Sequence, residues 1–328
     1  MLISFKIIEW CKLIGEKFGI IGVGPTGGIM ASYLANAGHD VILVDIFKSH
    51  MDEIKKNGLR ITNYLESSTK FPQENLCYSI DDLKNKGIDT LFIAVKASLL
   101  KKLLPQIKSV IKPGTIVISL QNGLDTEEKL AEVFGKENTM RIIVNYAGNL
   151  ISPGIIRMSF FNPPNYLGVL IPTVEEKSKR LAELITLAGI ETKFTPEIKK
   201  FEWAKCILNT ISPVCVITRT TMKQTLEFEE TRMLCKEILR EGIAVARARG
   251  INLDSNFLET GMNYLDKAGN HRVSMEADID AGKPSEIDFL NGKIVEYGKI
   301  EGIPTPYNKI LVSLIRACEL PSVDQTKI

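Results

Sequence analysis

The chain has 328 residues, of which 45% are hydrophobic and 24% are charged. These proportions are ordinary for folded globular proteins and exclude the disordered and fibrous classes. Forty-one basic and thirty-nine acidic residues leave a formal charge of +2, so electrostatics give no reason to expect a nucleic acid or an acidic membrane surface as a partner. No uncharged apolar run approaches the ~18 residues of a membrane-spanning helix. The length predicts about two domains.

The six cysteines and three histidines are scattered along the chain. No two cysteines form a C-x-x-C pair, so we expect free thiols in a reducing compartment, which indicates a cytoplasmic protein. No histidine stands at ligand spacing from a cysteine, so we expect no metal site. His39 follows a glycine and His50 lies among polar residues, and both are predicted to be on the surface.

Residues 1–17 precede the first predicted strand. Charged residues interrupt their apolar pattern at Lys6, Glu9, Lys12 and Glu16, which does not fit the apolar core of a secretory signal. The remaining apolar residues could share one face of a helix. We therefore expect a short amphipathic N-terminal extension.

A glycine-rich turn between a strand and a helix is the strongest motif of the first half. Residues 18–22 and 41–45 are apolar runs typical of buried strands, and helical spacing lies between them. The turn reads Gly22-Val23-Gly24-Pro25-Thr26-Gly27. In this context Gly22 permits a tight turn, Gly24 the approach of a pyrophosphate and Gly27 close packing of the helix on the strand. The motif indicates a dinucleotide site, with a merely structural turn as the alternative.

Asp45 ends the second of these strands. A carboxylate at this place accepts hydrogen bonds from ribose hydroxyls and repels a 2′-phosphate. No arginine follows closely, and Lys48 is the nearest base. We therefore expect NAD(H) rather than NADP(H), with Lys48 as a residue that could still support phosphate binding.

The alternation of strands and helices continues through the first half. Apolar runs predict strands at residues 89–95, 115–120 and 140–146. Lys96 and Asn122 follow two of them, and polar side chains at the carboxyl ends of parallel strands face the ligand crevice. A solvated lysine and a turn asparagine are the ordinary alternatives.

The pattern changes to long helices in the second half. Helical spacing recurs over residues 198–211, 229–249, 255–267, 287–300 and 307–318. We predict an α/β protein in which the extension at 1–17 is followed by a dinucleotide-binding Rossmann-type domain with a parallel sheet at 18–196. An all-helical substrate and catalytic domain follows at 197–328.

Lys205 and Asn209 lie four residues apart and therefore share one face of a predicted helix. Trp203 and Ile207 lie nearby, so this face is not a plain solvated one. A lysine partly removed from water releases its proton more readily and could protonate a carbonyl oxygen as hydride arrives. A surface pair is the common alternative for this spacing.

Two further polar residues stand at predicted helix starts. Ser274 heads a helical turn, where a hydroxyl can contact an anion or simply cap the helix. Glu286 precedes an apolar helix, where an acid can simply complement the helix dipole.

The chain resembles the ketopantoate reductase (2-dehydropantoate 2-reductase) family from about residue 18 to about residue 320. The resemblance is carried by the glycine motif at 22–27, Leu-Gln-Asn-Gly at 120–123, Trp203, Lys205 and Asn209, Ser274-Met275, the block at 281–292, and Gly-Ile-Pro-Thr-Pro at 302–306. It implies a Rossmann domain followed by a helical domain, with the site in the cleft between them.

The resemblance also implies roles for single residues. Lys205 matches the general acid, and Asn122 an asparagine set between cofactor and substrate. Glu286 matches a glutamate that contacts the cofactor near the nicotinamide ribose, and Lys96 a cofactor-contacting lysine. Asp45 departs from the family pattern, a small residue followed by arginine, and this departure points from NADP(H) to NAD(H).

The substrate residues match the family less completely. Asn209 matches an asparagine that binds the 2-oxo acid, and Ser274 a serine that holds its carboxylate. Ser212 stands where a second substrate asparagine is usual, and Met222 where a third often lies. The segment 158–164 is bulkier than the family's glycine-rich hairpin. These departures leave the identity of the substrate more open than the chemistry.

The leading hypothesis is NAD(P)H-dependent reduction of a 2-oxo acid to a 2-hydroxy acid, with ketopantoate to pantoate in coenzyme A synthesis as the first choice. The alternatives are an NAD-dependent D-2-hydroxy-acid dehydrogenase of the same family and, from another class, a non-catalytic nucleotide-sensing protein. We expect a small-molecule 2-oxo acid as ligand and neither nucleic acid nor membrane as partner. The helix at 229–249 could form a homodimer face or could equally belong to the core.

Overall fold

The computed structural model describes residues 16–267, 269–270 and 272–320. They divide into two compact units. The first unit comprises the described residues up to Gln121 and Asp125–Ile198, and the second comprises Asn122–Leu124 and the described residues from Lys199 onwards. The predicted extension lies outside the described residues except for Glu16 and Lys17, and Lys17 already belongs to the first strand. The predicted domain boundary at 196–197 lies close to the observed boundary between Ile198 and Lys199. The sequence does not predict that residues 122–124 belong to the second unit.

The first unit is built on an eight-stranded sheet. Its strands are β1 Lys17–Ile21, β2 Asp40–Val44, β5 Leu76–Cys77, β6 Thr90–Ile93, β7 Ile116–Ser119, β8 Thr139–Ile143, β11 Asn165–Val169 and β12 Thr192–Phe194. They lie in the order β12-β11-β8-β7-β6-β1-β2-β5. All neighbours pair in parallel except β8 and β11. The helices of this unit are α1 Pro25–Asn36, α2 Lys48–Asn57, α3 Leu100–Val110, α4 Thr126–Phe134 and α5 Glu175–Leu187.

The register brings the carboxyl ends of the central strands to one edge of the sheet. Ile21 of β1 lies opposite Val44 of β2 and Ile93 of β6. These strands are nearly continuous apolar runs because both of their faces are buried. The turns that follow β1, β2 and β6 therefore begin close to one another.

A smaller sheet in the same unit has the order β4-β3-β10-β9. Its strands are β3 Leu59–Thr62, β4 Ser67–Thr69, β9 Tyr146–Ser152 and β10 Ile155–Phe161. Residues 59–77 carry no predicted element but form β3, β4 and β5. These strands are short, and β4 is the polar sequence Ser-Ser-Thr at a sheet edge, so apolar periodicity gives little signal there.

Within the described part of the second unit, every regular element is helical. The helices, the first of which starts at the unit boundary, are α6 Ile198–Asn209, α7 Ser212–Thr218, α8 Met222–Glu227, α9 Glu229–Ala248, α10 Phe257–Asp266, α11 Ser274–Asp280, α12 Asn291–Glu301 and α13 Pro306–Cys318. The predicted helix at 198–211 ends two residues early because Pro213, which lacks an N–H, lies in the first turn of a new helix. Among the described residues, none of the helices combines the length and apolar character needed to cross a bilayer.

His50 is buried, so its prediction as a surface residue is wrong. Its side chain is only 1% exposed. His50, Met51 and Ile54 together form the buried face of α2, and the polar neighbours in the sequence occupy the solvent face. Both ring nitrogens of His50 have backbone partners.

Candidate active site

The glycine-rich turn joins β1 to α1, and two of its glycines are required by the fold. Gly22 has a φ of +92°, and a Cβ there would lie 2.9 Å from the backbone carbon of Ala94. A Cβ at Gly27 would lie 2.0 Å from the carbonyl oxygen of Gly22. Neither position can accept a side chain without moving the backbone.

Gly24 is different because the fold does not require a glycine there. Its φ of −67° is ordinary for any residue, and nothing lies within 4 Å of the place where a Cβ would be. The space beside this backbone is therefore open. It is the place where a dinucleotide would bring its pyrophosphate against the turn, so the turn fits such a group.

The first turn of α1 supplies hydrogen-bond donors to the same space. The first N–H groups of a helix have no partner within it, and Pro25, the first helical residue, has no N–H. Thr26 and Gly27 therefore carry the donors of this turn, which suit an anion. The Tyr146 hydroxyl donates to the Thr26 carbonyl at 3.1 Å. Burial raises the pKa of Tyr146 far above its ordinary value, so the hydroxyl stays protonated.

Asp45 ties the glycine-rich turn to the loop after β2. Its Oδ2 accepts the Val23 N–H at 2.7 Å, and its Oδ1 accepts the Phe47 N–H at 2.8 Å. Each carboxylate oxygen can accept a further hydrogen bond, so Asp45 could also accept hydrogen bonds from ribose hydroxyls. Lys48 forms an exposed pair with Asp52 at 2.7 Å. The hydrogen bond that Lys48 donates to the Asp52 carboxylate raises the pKa of Lys48.

Lys96 lies at the end of β6, where that strand approaches the turn. It comes two residues after Ala94, the residue whose backbone touches Gly22. Lys96 is half-buried and precedes the short 3₁₀ turn Ala97–Leu99. The first unit thus brings the predicted cofactor residues 22–27 and Lys96 to one edge of the sheet.

The second unit contains a polar pocket built from four separate segments of the chain. It is lined by Asn122, Asn209, Ser212, Ser274, Met275, Asp278, Glu286 and Leu290. Five of these are predicted site residues: Asn122, Asn209, Ser212, Ser274 and Glu286. The fold therefore assembles predicted groups that the sequence keeps far apart.

Asn122 reaches this pocket because Gly123 lets the chain approach the segment around Phe289. Gly123 has a φ of +94°, and a Cβ there would lie 2.6 Å from the Phe289 carbonyl oxygen. The next N–H, of Leu124, donates to that oxygen at 3.1 Å. The Asn122 amide faces the Glu286 carboxylate at 3.5 Å, a long hydrogen bond, and Glu286 is only 6% exposed.

A buried amide network fixes the α6–α7 junction that carries two of the pocket residues. Asn291 donates to the Thr210 carbonyl at 2.8 Å and to the side-chain oxygen of Asn308 at 3.0 Å. Asn308 in turn donates to Glu241 at 2.7 Å. The bond from Asn291 holds the backbone at Thr210, which lies between Asn209 and Ser212 in the chain.

Ser274 is the first residue of α11 and lines the pocket from an exposed position. The cap of this helix is Val273, so Ser274 is not the helix cap. The far end of α11 is held by ion pairs from Asp280 to Arg219 and to Arg272, each at 2.7 Å. The guanidinium of Arg219, and then that of Arg272, hold the pKa of the Asp280 carboxyl below its ordinary range.

Lys205 lies on α6 one turn before Asn209, about 6 Å along the helix axis. It is half-buried. Trp203 and Ile207 of the same helix are buried in the core, and the Trp203 ring lies 5.5 Å from the ring of Tyr297. Lys205 and Asn209 thus share a partly covered face of the helix.

Three lining residues are absent from the predicted site: Met275, Asp278 and Leu290. Asp278 lies four residues after Ser274, and Leu290 lies four residues after Glu286. Asp278 could have been predicted from its helical spacing to Ser274. Met275 has no helical spacing to a predicted residue.

A cavity of about 540 Å³ also lies in the first unit. Its lining includes Thr90 and Ile116, the first residues of β6 and β7. Ligands of parallel sheets bind at the carboxyl ends of the strands, whereas this cavity lies at the amino ends. It is not the candidate site.

Two family models match most of the chain. The model described as ketopantoate reductase PanE/ApbA matches residues 18–170, and the model of its C-terminal domain matches residues 197–319. The chain belongs to the ketopantoate reductase PanE/ApbA family. The predicted resemblance, the fold class and the enzyme class, an NAD(P)-dependent oxidoreductase, are confirmed.

Curated relatives and solved structures agree with this assignment. The chain is 30% identical over 307 residues to the 2-dehydropantoate 2-reductase of Pyrococcus horikoshii, covering 92% of this chain and 97% of the relative. A PanE/ApbA family ketopantoate reductase from Ralstonia eutropha JMP134 has a TM-score of 0.83 at 26% identity, with 92% and 98% of the two chains covered. The ternary structure of D-mandelate dehydrogenase with NADH and anilino(oxo)acetate has a TM-score of 0.83 at 27% identity and the same coverage.

Proposed function

We propose that the chain reduces a 2-oxo acid to a 2-hydroxy acid with NAD(P)H, and that ketopantoate is its substrate. The observation that carries the proposal is the pocket of the second unit, where Asn122, Asn209, Ser274 and Glu286 line one space. Relatives named 2-dehydropantoate 2-reductase at 27–30% identity support the choice of substrate.

The dinucleotide is held at the glycine-rich turn. The open space beside Gly24 admits the pyrophosphate, and the N–H groups of Thr26 and Gly27 bind its oxygens. When bound, the nicotinamide supplies the hydride for the carbonyl carbon. Lys96 contacts the cofactor at the end of the neighbouring strand.

Side chains supply the proton that the reduction needs in addition to the hydride, and they orient the substrate. Lys205 donates a proton to the carbonyl oxygen and stabilises the negative charge that develops there. The amides of Asn209 and Asn122 orient the carbonyl group. Ser274 binds the carboxylate of the substrate, and Glu286 holds the Asn122 amide.

We propose NAD(H) as the preferred cofactor because Asp45 ends β2. Its carboxylate would repel the 2′-phosphate of NADP(H) and can accept ribose hydroxyls. The D-mandelate dehydrogenase to which the chain is similar binds NADH in its solved structure, which supports this choice.

A second candidate substrate is a 2-oxo acid with an apolar side chain. Ser212 and Met222 replace two asparagines that are usual in the family, and Met275 and Leu290 line the pocket. A pocket with fewer hydrogen-bond partners discriminates less in favour of a hydroxylated substrate. The similarity to D-mandelate dehydrogenase favours this candidate.

A homodimer and a cytoplasmic location complete the proposal. Among the described residues, the cysteines form no disulfide with one another, which suits a reducing compartment.

Steady-state kinetics with a panel of 2-oxo acids test the proposal. Ketopantoate, phenylglyoxylate and 2-oxoisovalerate are each supplied with NADH and with NADPH, and the loss of reduced-nicotinamide absorbance is followed. We expect the highest kcat/KM for ketopantoate with NADH. A preference for phenylglyoxylate would establish the second candidate. Dinucleotide binding without turnover of any acid would instead favour a nucleotide-sensing protein.

A further inference from the structure

Both peptide groups of Val23, in the middle of the glycine-rich turn, are held by side chains from the segment after β2. The Val23 N–H donates to Asp45 Oδ2 at 2.7 Å. The Val23 carbonyl oxygen lies 3.0 Å from His50 Nε2. Val23 itself is fully buried, so solvent does not compete for these bonds. The direction of each peptide group is therefore set by its side-chain partner.

The partners of His50 define its tautomer. Its Nδ1 accepts the Gly154 N–H at 2.9 Å. A backbone N–H only donates and a backbone carbonyl only accepts, so Nδ1 is the acceptor and the Nε2–H group donates a hydrogen bond to the Val23 carbonyl oxygen. The Phe47 ring stacks on the imidazole with centroids 6.1 Å apart. The ring of His50 is thus fixed between the turn and the β9–β10 hairpin.

Peptide geometry transfers this restraint to the next residue. In a trans peptide the C=O and the following N–H point in opposite directions. Because His50 holds the Val23 carbonyl, the Gly24 N–H points away from His50. Pro25 carries no N–H, so Gly24 carries the last backbone donor before the first turn of α1. Open space lies beside Gly24.

We propose that His50 is a positioning residue for the dinucleotide pyrophosphate. By fixing the Val23 carbonyl, it directs the Gly24 N–H toward the phosphate that the open space admits. The inference rests on the proposed function, in which the turn binds NAD(P)H. It assigns a binding role to a histidine that touches neither cofactor nor substrate.

Two variants separate the two hydrogen bonds of the ring. His50→Asn keeps an acceptor near the Nδ1 position, for Gly154, and loses the donor to Val23. His50→Gln places an amide donor near the Nε2 position and keeps the bond to Val23. Affinities are measured for NADH, for ADP, which carries a pyrophosphate, and for adenosine, which does not.

We expect His50→Asn to bind NADH and ADP roughly tenfold more weakly, the equivalent of one hydrogen bond, and adenosine as the parent does. Its KM for NADH should rise by a similar factor while kcat stays within about twofold. His50→Gln should remain close to the parent. His39→Asn is the matched control, because His39 packs against Phe18 and precedes β2; its affinities should not change.

Thermal unfolding of each variant separates binding from folding. Parental ADP affinity in folded His50→Asn, or an equal loss for adenosine and ADP, would overturn the inference. If His50→Asn does not fold, a tenfold loss of ADP affinity in folded His50→Gln would overturn it as well. If the parent binds neither NADH nor ADP, the proposed function itself fails. That result concerns the parent, whereas the results that overturn the inference concern the His50 variants.

Discussion

The glycine-rich turn and the polar pocket differ in which part of the chain is proposed to bind. In the turn, the proposed binding groups belong to the backbone. Side chains are excluded at two positions, because a Cβ at Gly22 or Gly27 would lie only 2.9 Å or 2.0 Å from neighbouring backbone atoms. In the pocket, the proposed binding groups are side chains, and Gly123 brings Asn122 into place. Substitutions in the turn should therefore change folding or dinucleotide affinity. Substitutions in the pocket should remove chemistry from an intact fold.

Lys205→Ala should give the largest effect. Lys205 does not itself line the pocket but lies on the helix that carries Asn209, so the variant extends the second half of the comparison to that helix. Removing the proton donor should lower kcat by about 10² to 10⁴-fold, while NADH affinity and the unfolding temperature change little. Stopped-flow and steady-state kinetics with the preferred 2-oxo acid measure the change. The matched control is Lys200→Ala on the same helix, which removes only an ion pair with Asp254 at 2.9 Å. Near-parental turnover of Lys205→Ala would remove Lys205 from the reaction.

The same difference explains how much of the site could be predicted. The turn is one contiguous sequence between an apolar strand and a helix, so local pattern and stereochemistry suffice to find it. The pocket depends on contacts between distant segments. The approach of Gly123 to Phe289, which brings 122–124 into the second unit, leaves no periodic signal in either segment. Without the family resemblance, Lys205 and Asn209 alone are an ordinary helical pair.

His50 shows the limit within the first unit. The main strands and helices follow from apolar periodicity, but His50 bonds to Val23 and Gly154, which are remote in the chain. The polar residues near it in the sequence, Lys48, Ser49 and Asp52, lie on the solvent face of α2. A buried polar residue on the opposite face is recognisable only when the fold supplies its partners.

A pair of alanine substitutions tests the first half of the comparison. Gly27→Ala forces a Cβ into the Gly22 carbonyl and should destabilise the fold by about 3 kcal/mol or more. Gly24→Ala meets nothing in the protein, so its free energy of unfolding should stay within about 0.5 kcal/mol of the parent. Denaturant unfolding measures both.

Gly24→Ala should nevertheless weaken NADH binding by roughly tenfold or more, because its methyl group occupies the space for the pyrophosphate. Fluorescence titration with NADH gives the affinity. Unchanged affinity in this variant would mean that the ligand does not approach the turn at Gly24, and the division of roles between the two regions would not hold.

The smallest effect is expected at Asp45, which holds the turn and is proposed to select the cofactor. Replacing Asp45 by alanine and Ile46 by arginine should shift the ratio of kcat/KM for NADPH over NADH upward by about tenfold. Ile46 is 86% exposed, so an arginine there has room to meet a 2′-phosphate. Asp45→Asn is the control, because its side-chain oxygen can still accept the Val23 N–H.

The ratio is the informative quantity in this last experiment. The double variant loses the bonds from Asp45 to Val23 and Phe47, which should weaken binding of both cofactors by disturbing the turn. A loss that affects both cofactors equally cancels in the ratio of the two kcat/KM values. A change in this ratio therefore reports only on recognition of the 2′-phosphate. A parent enzyme that already prefers NADPH would show instead that Asp45 serves the turn alone, since its carboxylate would then not oppose the phosphate.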